Sequence, residues 1–271
     1  MFDSRIDRLS AMRKKTTAMR PLLVLLWVLV AGSAHAQIVN TQPLLSKITD
    51  DGLSAELGTS LEWRTGNVEL FRLSASLLVT MRLCDHTLVS SSNLEFGERA
   101  GERFLFRTFT HLRYQFRIDD LVTLETFAQV AHDEFRRITL RGLVGAGARW
   151  TLWSSEDTTF RLGTAWMFEH ERFADGTTPD SGQRRANHRA SIYLDLRHDP
   201  NEDLAIGATV YYQPRLSDGS DWQLAAESRL AVAVTEALAL TLQLVLAYDS
   251  TPPDEVVDLD TATLVGVSIS L

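Results

Sequence analysis

The residues of this sequence best suited to do chemistry are charges that recur at alternate positions. Arg107, Arg113, Arg117, Glu125, Asp133, Arg141, Arg149, Arg161, Glu169, Glu171, Arg189, Asp195, Arg197, Glu227 and Arg229 all fall on the polar row of an alternating pattern. A period of two puts one row of side chains on one face of a strand. Guanidinium and carboxylate groups on one such face have two uses. They can line a narrow aqueous path and tune which ions pass. They can also pair across strands and fill an enclosed space, each satisfying the other where water is scarce. The spacing leaves both readings open.

Other groups carry weaker signals. "AHDEF" brings His132, Asp133 and Glu134 together, and His111 lies in "FTHLRYQ". A lipase or protease site at the rim of the fold is therefore the alternative function. However, a nucleophile, base and orienter must converge in space, which adjacency in sequence does not show, and no Ser follows His111 at a lipase-like spacing. The expectation is that the chain is not an enzyme and has no catalytic residues. Asp254, Glu255, Asp258 and Asp260 could bind Ca²⁺ or bridge to lipopolysaccharide through divalent ions, yet their spacing does not match an EF-hand loop. Solvated turn chemistry is the expectation, with no metal site and no cofactor. "GAG" (145–147) lacks the strand–loop–helix context of a dinucleotide site. The single cysteine, Cys84, cannot form an internal disulfide.

The elements that must position these charges are strands. In "ALALTLQLVLAYDSTPP" (237–253), leucine occupies 238, 240, 242, 244 and 246, with Thr241 and Gln243 on the other face. The same alternation, apolar row against polar row, recurs from Leu53 to Leu271 in about eleven runs of roughly 10 to 16 residues. Soluble strands average ~5–6 residues, and a tilted strand crossing a bilayer needs ~9–11. Aromatics near run ends on the apolar row (Trp63, Phe71, Trp150, Tyr212, Trp222, Tyr248) match interfacial girdles. The lengths predict a transmembrane antiparallel up-and-down β-barrel of about 12 strands, its apolar row facing lipid and its polar row facing the lumen. Small polar-row residues such as Ser74, Ser76, Gly145 and Gly163 suit a crowded interior. A barrel of ~8 strands is filled by side chains and one of ~16–18 leaves a channel, so 12 leaves the lumen undecided.

The expected turns are "RTGN" (64–67), "DD" (119–120), "SSED" (154–157), "PNED" (200–203) and "TEA" (235–237). Longer loops are expected at 84–103, 132–137, 173–187, 216–220 and 250–260. With a periplasmic C-terminus this order places "RTGN" inside and starts the Leu53 run outside. A further strand within 38–48, hairpinned through "DDG" (50–52), would complete an even number.

Ahead of the barrel, Arg13, Lys14, Lys15 and Arg20 precede the apolar run "PLLVLLWVLVA" (21–31) and the small-x-small site Ala34-His35-Ala36. This is the pattern of a signal peptide at 1–36, cleaved after Ala36, with the barrel domain at 37–271. Translation could start at Met1, Met12 or Met19. Removing the six basic and two acidic residues of 1–36 leaves 21 Lys/Arg and 33 Asp/Glu, a net charge of −12. Only Lys47 among these 21 is lysine. An acidic chain without a basic block argues against nucleic acid as partner. The expected surroundings are outer-membrane lipid and lipopolysaccharide.

Four segments then carry a resemblance: "TGN" after an early strand, "AQVAHDEFRRITLRGLVGAGARW" (128–150), "YYQPRLSDGSDWQL" (211–224) and "YDSTPPDEVVDLD" (248–260). Over about Leu53 to Leu271 the chain resembles the salt-induced outer-membrane proteins of Gram-negative bacteria. The resemblance implies an outer-membrane barrel and a link to salt or envelope stress; the expected role, read from the barrel and its charged row, is envelope-structural or that of a narrow passive channel. It carries over no catalytic residues. It also implies handling by the barrel-assembly machinery, which recognises a final Phe or Trp; this chain ends in Leu271.

Overall fold

The computed structural model describes residues 51–201, 203–235 and 238–269. These residues form twelve antiparallel strands in sequence order: β1 (Gly52–Arg64), β2 (Leu70–Leu83), β3 (His86–Arg99), β4 (Glu102–Arg117), β5 (Val122–Asp133), β6 (Ile138–Ser154), β7 (Thr158–Phe173), β8 (Arg184–Asn201), β9 (Leu204–Arg215), β10 (Asp218–Ala233), β11 (Leu238–Asp249) and β12 (Leu259–Ile269). Each strand pairs with its neighbours in the chain, as in an up-and-down barrel. Strand lengths run from 11 residues in β12 to 18 in β8. No helix is present among the described residues.

The polarity is inside out. On β8, Asn187, Arg189, Ser191, Tyr193 and Asp195 are buried, while Ile192, Leu194 and Leu196 between them are exposed. Water-soluble sheets bury the opposite row. Cross-interior contacts show how far the sheet curls. The Tyr193 hydroxyl donates to Glu125 Oε2 at 2.8 Å, joining β8 to β5, and Arg141 Nη2 donates to Gln223 Oε1 at 2.9 Å, joining β6 to β10. Arg136, in the turn after β5, bonds Asp260 on β12. Among the described residues no ladder joins β1 to β12, and β1 is exposed on both faces apart from half-buried Glu62 near its end. Unpaired backbone groups cost several kcal/mol each in hydrocarbon, so closure of the barrel in a bilayer requires these two edges to meet.

One end carries the connections β2–β3, β4–β5, β6–β7, β8–β9 and β10–β11. The other carries 65–69, 100–101, 134–137, 174–183, 216–217 and 250–258, which include the longest connections. Four expectations are corrected here. The segment 84–103 is not a loop but mostly β3. Its Ser90-Ser91-Ser92-Asn93 run has the composition of a loop, yet it pairs residue by residue with β2 and β4. Because that strand was missing from the count, "RTGN" was placed at the wrong end: it lies with the long loops, and β1 starts at the short-turn end. In addition, 216–217 is a two-residue turn and β8 begins at Arg184, so two supposed long loops are shorter than expected. The strand expected within 38–48 lies outside the described residues. Ile138, expected on the outward row, is buried instead. A bulge between Ile138 and Leu140 shifts its parity.

Candidate functional site

The barrel interior is the candidate site, and its walls differ in kind. From β4 to β10 the inward row is long, polar and interlocked. Glu169, on β7, is fully buried at 0% exposure. Its Oε1 accepts from Arg141 Nε at 2.6 Å and its Oε2 from Arg189 Nε at 2.8 Å. Arg189 also donates to Asp221 Oδ1 at 2.7 Å and to the Gln213 carbonyl at 3.2 Å. Arg215 reaches the second oxygen of Asp221 at 3.4 Å. Arg141 lies 3.5 Å from Glu171, and Gln223 passes the chain on to Asp249 at 3.3 Å.

A second group centres on Glu125. It accepts from Arg113 Nη1 at 3.2 Å, from the Tyr193 hydroxyl and from Gln115, with Arg149 at 3.6 Å. Asp195 takes Arg161 at 3.1 Å and the Thr209 hydroxyl at 2.9 Å. Charges this buried persist only when each is paired and hydrogen-bonded. Glycines make room for the rings among them. A Cβ at Gly163 would overlap the Tyr193 ring, and one at Gly145 the Phe127 ring.

The remaining wall mixes small side chains with larger ones such as Glu56, Arg72 and Leu264. β1, β2, β11 and β12 direct Gly58, Ser60, Ser74, Ser76, Thr241 and Gly266 to the same side as the inward row. Ser76 is exposed and Ser74 half-buried, so no described residue fills the space before Ser76. At the long-loop end this space widens into a cavity of about 440 Å³ lined by Arg72, Arg107, Asp133, Val245, Ala247 and Ala262 among others, with 255–257 of the β11–β12 loop over it.

That loop is clasped in place. Arg137 Nη1 donates to Asp180 Oδ1 at 2.8 Å and to the Asp254 carbonyl at 2.7 Å, and its Nη2 bonds Thr178. The Asp254 N–H donates to Asp180 Oδ2 at 2.9 Å, and the Asp180 N–H donates to Asp254 Oδ2 at 3.1 Å. Burial alone would push the Asp180 carboxyl up; the Asp254 N–H, the Thr178 hydroxyl and the Arg137 guanidinium outweigh it and hold the group below the usual carboxylate range. Of the acidic loop residues, Asp254 and Asp260 are thus engaged by this chain's own arginines and backbone. Among the described residues no group of three or more His, Cys, Asp or Glu is arranged to hold a metal ion.

The structure brings Arg113, Glu125 and Arg149 together in one group and Arg141, Glu169, Glu171 and Arg189 in another, with Arg161 and Asp195 as a pair. Arg107 bonds Glu95. Glu227 accepts from Gln243 at 2.8 Å, and Arg229 is half-buried on the same row. Three residues stand apart. Arg117 pairs with Asp85 and Arg197 with Asp199 at the short-turn rim, both about half exposed, because their strands outrun the enclosed zone. Asp133 accepts from the N–H groups of Phe135 and Arg136 at 3.0 and 3.2 Å and caps the β5–β6 turn. His132 lies against Phe106, and its Nδ1 donates to the Thr139 carbonyl at 2.9 Å. The interior also holds Gln115, Gln129, Gln213, Gln223, Tyr193 and Tyr211, neutral residues that a search for charges passes over. Their even spacing with the charged row was the available signal. Glu95 was hidden with β3.

A family model described as "Protein of unknown function, DUF481" matches residues 55–270. No curated protein matches the chain. Similar solved structures include the NanC porin, at 12% identity over 81% of this chain and 100% of that one, with a TM-score of 0.45. The KdgM porin in complex with disordered oligogalacturonate is 10% identical over 81% of this chain and 99% of that one, TM-score 0.41. A bacterial polysaccharide outer membrane secretin is 13% identical over 80% of this chain and 79% of that one, TM-score 0.43.

Proposed function

The chain belongs to the DUF481 family of proteins of unknown function, and we propose that it is an exported outer-membrane barrel acting as a narrow passive channel. Its path runs along the wall of β1, β2, β11 and β12. The fifteen charges of the polar row serve mainly to fill the other side, from β4 to β10. The observation that carries this reading is the division of the inward row: fully buried ion pairs on one side and exposed serines on the other. The outward apolar row, with Leu194, Val210 and Leu244 each 40% or more exposed, supports lipid as the surroundings. Export by the 1–36 signal, contact with lipopolysaccharide at the long-loop end, and use under salt or envelope stress belong to the same proposal; the last rests on the resemblance of the quoted segments.

The test is ion conductance of the refolded mature protein in a planar bilayer. Discrete steps are expected, and Gly266→Trp should reduce them, because a side chain at 266 enters open space, with only Thr241 Cβ near it at 3.8 Å. Silence from protein shown to be folded would leave the envelope-structural reading, which the fully buried Glu169 network favours. Steps that ignore Gly266→Trp would place the path elsewhere.

A further inference from the structure

Between the Glu125 and Glu169 groups lies a small cavity of about 20 Å³, lined by residues of β4 to β9 that include His111, Gln129 and Gln213, with Arg113 and Arg141 beside them. A void of ~10–15 Å³ suffices for one water. Three polar atoms of its lining have no hydrogen-bond partner: His111 Nδ1, Gln129 Nε2 and Gln213 Oε1. Their residues are 3%, 6% and 5% exposed. Three orphaned atoms around one void are unusual in a folded interior, where buried polar groups find partners.

The donor and acceptor roles can be worked out. Arg113 Nε faces His111 Nε2 at 3.5 Å. A guanidinium has no acceptor, so Nε2 must accept and the imidazole proton sits on Nδ1. Gln213 Nε2 donates to Ser191 Oγ at 3.2 Å, which leaves Oε1 as the acceptor of that side chain without a partner. The site therefore offers two donors, His111 Nδ1–H and Gln129 Nε2–H, and one acceptor, Gln213 Oε1. An anion would meet the Gln213 oxygen. A cation would meet two N–H groups with two guanidinium side chains beside them. A water accepts two hydrogen bonds and donates at least one, and it makes about three in such sites.

We propose that a single internal water is bound here, bridging the β4–β5 wall (His111, Gln129) to β9 (Gln213). It supplies the partner that these three atoms lack and links the two charge groups. It stands whether or not the open wall conducts.

The test is a crystal structure of the refolded full barrel at a resolution that orders solvent, from crystals soaked in sodium bromide, with anomalous data. One solvent peak is expected within ~2.7–3.2 Å of all three atoms, without bromide signal. In Gln213→Leu crystals the peak should vanish while Glu169 keeps its arginines. A bromide peak at the site would overturn the proposal in favour of an anion site, and an empty cavity in the wild type would overturn it outright. The wild-type map decides by itself. Should Gln213→Leu not fold, Gln129→Met removes a donor and should abolish the same peak.

Discussion

Replacing Glu169 by Gln separates a filled interior from a hydrated one. The carboxylate is fully buried and holds Arg141 at 2.6 Å and Arg189 at 2.8 Å. Breaking a buried ion pair by removing one partner costs ~3–5 kcal/mol, because the remaining charge is left uncompensated. Two features temper the loss. Arg189 keeps Asp221 at 2.7 Å, and Arg141 keeps Glu171 at 3.5 Å and Gln223 at 2.9 Å. Glutamine also keeps the shape and one acceptor. The expected loss is therefore at the low end, ~3 kcal/mol, roughly a hundredfold in the folded-to-unfolded ratio. The assay is reversible urea unfolding in lipid, read by tryptophan fluorescence, with midpoint and slope both fitted. Glu56→Gln, on the exposed inward row of β1, is the control and should change stability by less than ~0.5 kcal/mol. Combining Glu169→Gln with Arg189→Met should cost less than the sum of the single changes, since they share one pair. A loss below ~1 kcal/mol for Glu169→Gln, the range of solvated surface pairs, would refute the argument: water would then be reaching the network, and the filled side would itself be a pore.

Three further outcomes are expected. Leu242 lies on the outward row of β11, between Leu230 and Val265 in register; Leu242→Arg should destabilise the barrel in lipid by ~2–4 kcal/mol, and a neutral result would reverse the facing of the sheet. Gly163→Ala should force the Tyr193 ring from its place and weaken its bond to Glu125, costing ~1–3 kcal/mol as overpacking does; unfolding at the wild-type urea midpoint would count against the packing described. Arg137→Met should release the β11–β12 loop and raise cleavage within 250–258 severalfold in limited proteolysis of the folded protein. The clasp has a pH signature whose sign follows from Asp180. Its folded pKa is depressed, so its contribution is full above the unfolded value of ~3.9 and is lost as pH falls through the lower folded value. Amide exchange of Asp254 and Val256, corrected for intrinsic rates, should stay protected from neutral pH to ~5 and lose protection only below ~4; protection lost near neutrality would assign the latch to another group.

What was legible in the sequence followed from period. A row of leucine at 238–246 has one facing in a strand, so wall, facing and the parity of Arg141 or Glu169 could be read without coordinates. The failures came where period is weak or broken. Ser90-Ser91-Ser92-Asn93 in β3 alternates polar with polar, so no apolar row announces it. Outward Ser92 finds Thr110 on β4 at 3.1 Å instead of lipid alone. Missing that one strand reversed the end assigned to "RTGN". Ile138 was misplaced because a bulge changes parity by one residue, and bulges leave no signature in a single sequence. Which charges meet was not legible either. Pairing across one ladder, such as Arg161 with Asp195, follows from register. Tyr193 with Glu125 and Arg141 with Gln223 span the interior, and only the curvature of the sheet brings them together.

The near absence of lysine also finds its reason in the interior. No lysine occurs after Lys47, so every basic side chain among the described residues is arginine or histidine. Arg141 serves Glu169, Glu171 and Gln223; Arg189 serves Glu169, Asp221 and the Gln213 carbonyl; Arg137 serves Asp180, Thr178 and the Asp254 carbonyl. Each needs donors diverging in a plane over several ångströms, which a guanidinium provides and an ammonium, a compact point donor, does not. The guanidinium is also the less strongly hydrated cation, so burying it beside a carboxylate is less unfavourable. A channel that needed only positive potential could have used either residue. The exclusive choice of arginine fits side chains selected to hold strands β4 to β10 to one another, which leaves the small residues of the opposite wall as the ones free to shape a path.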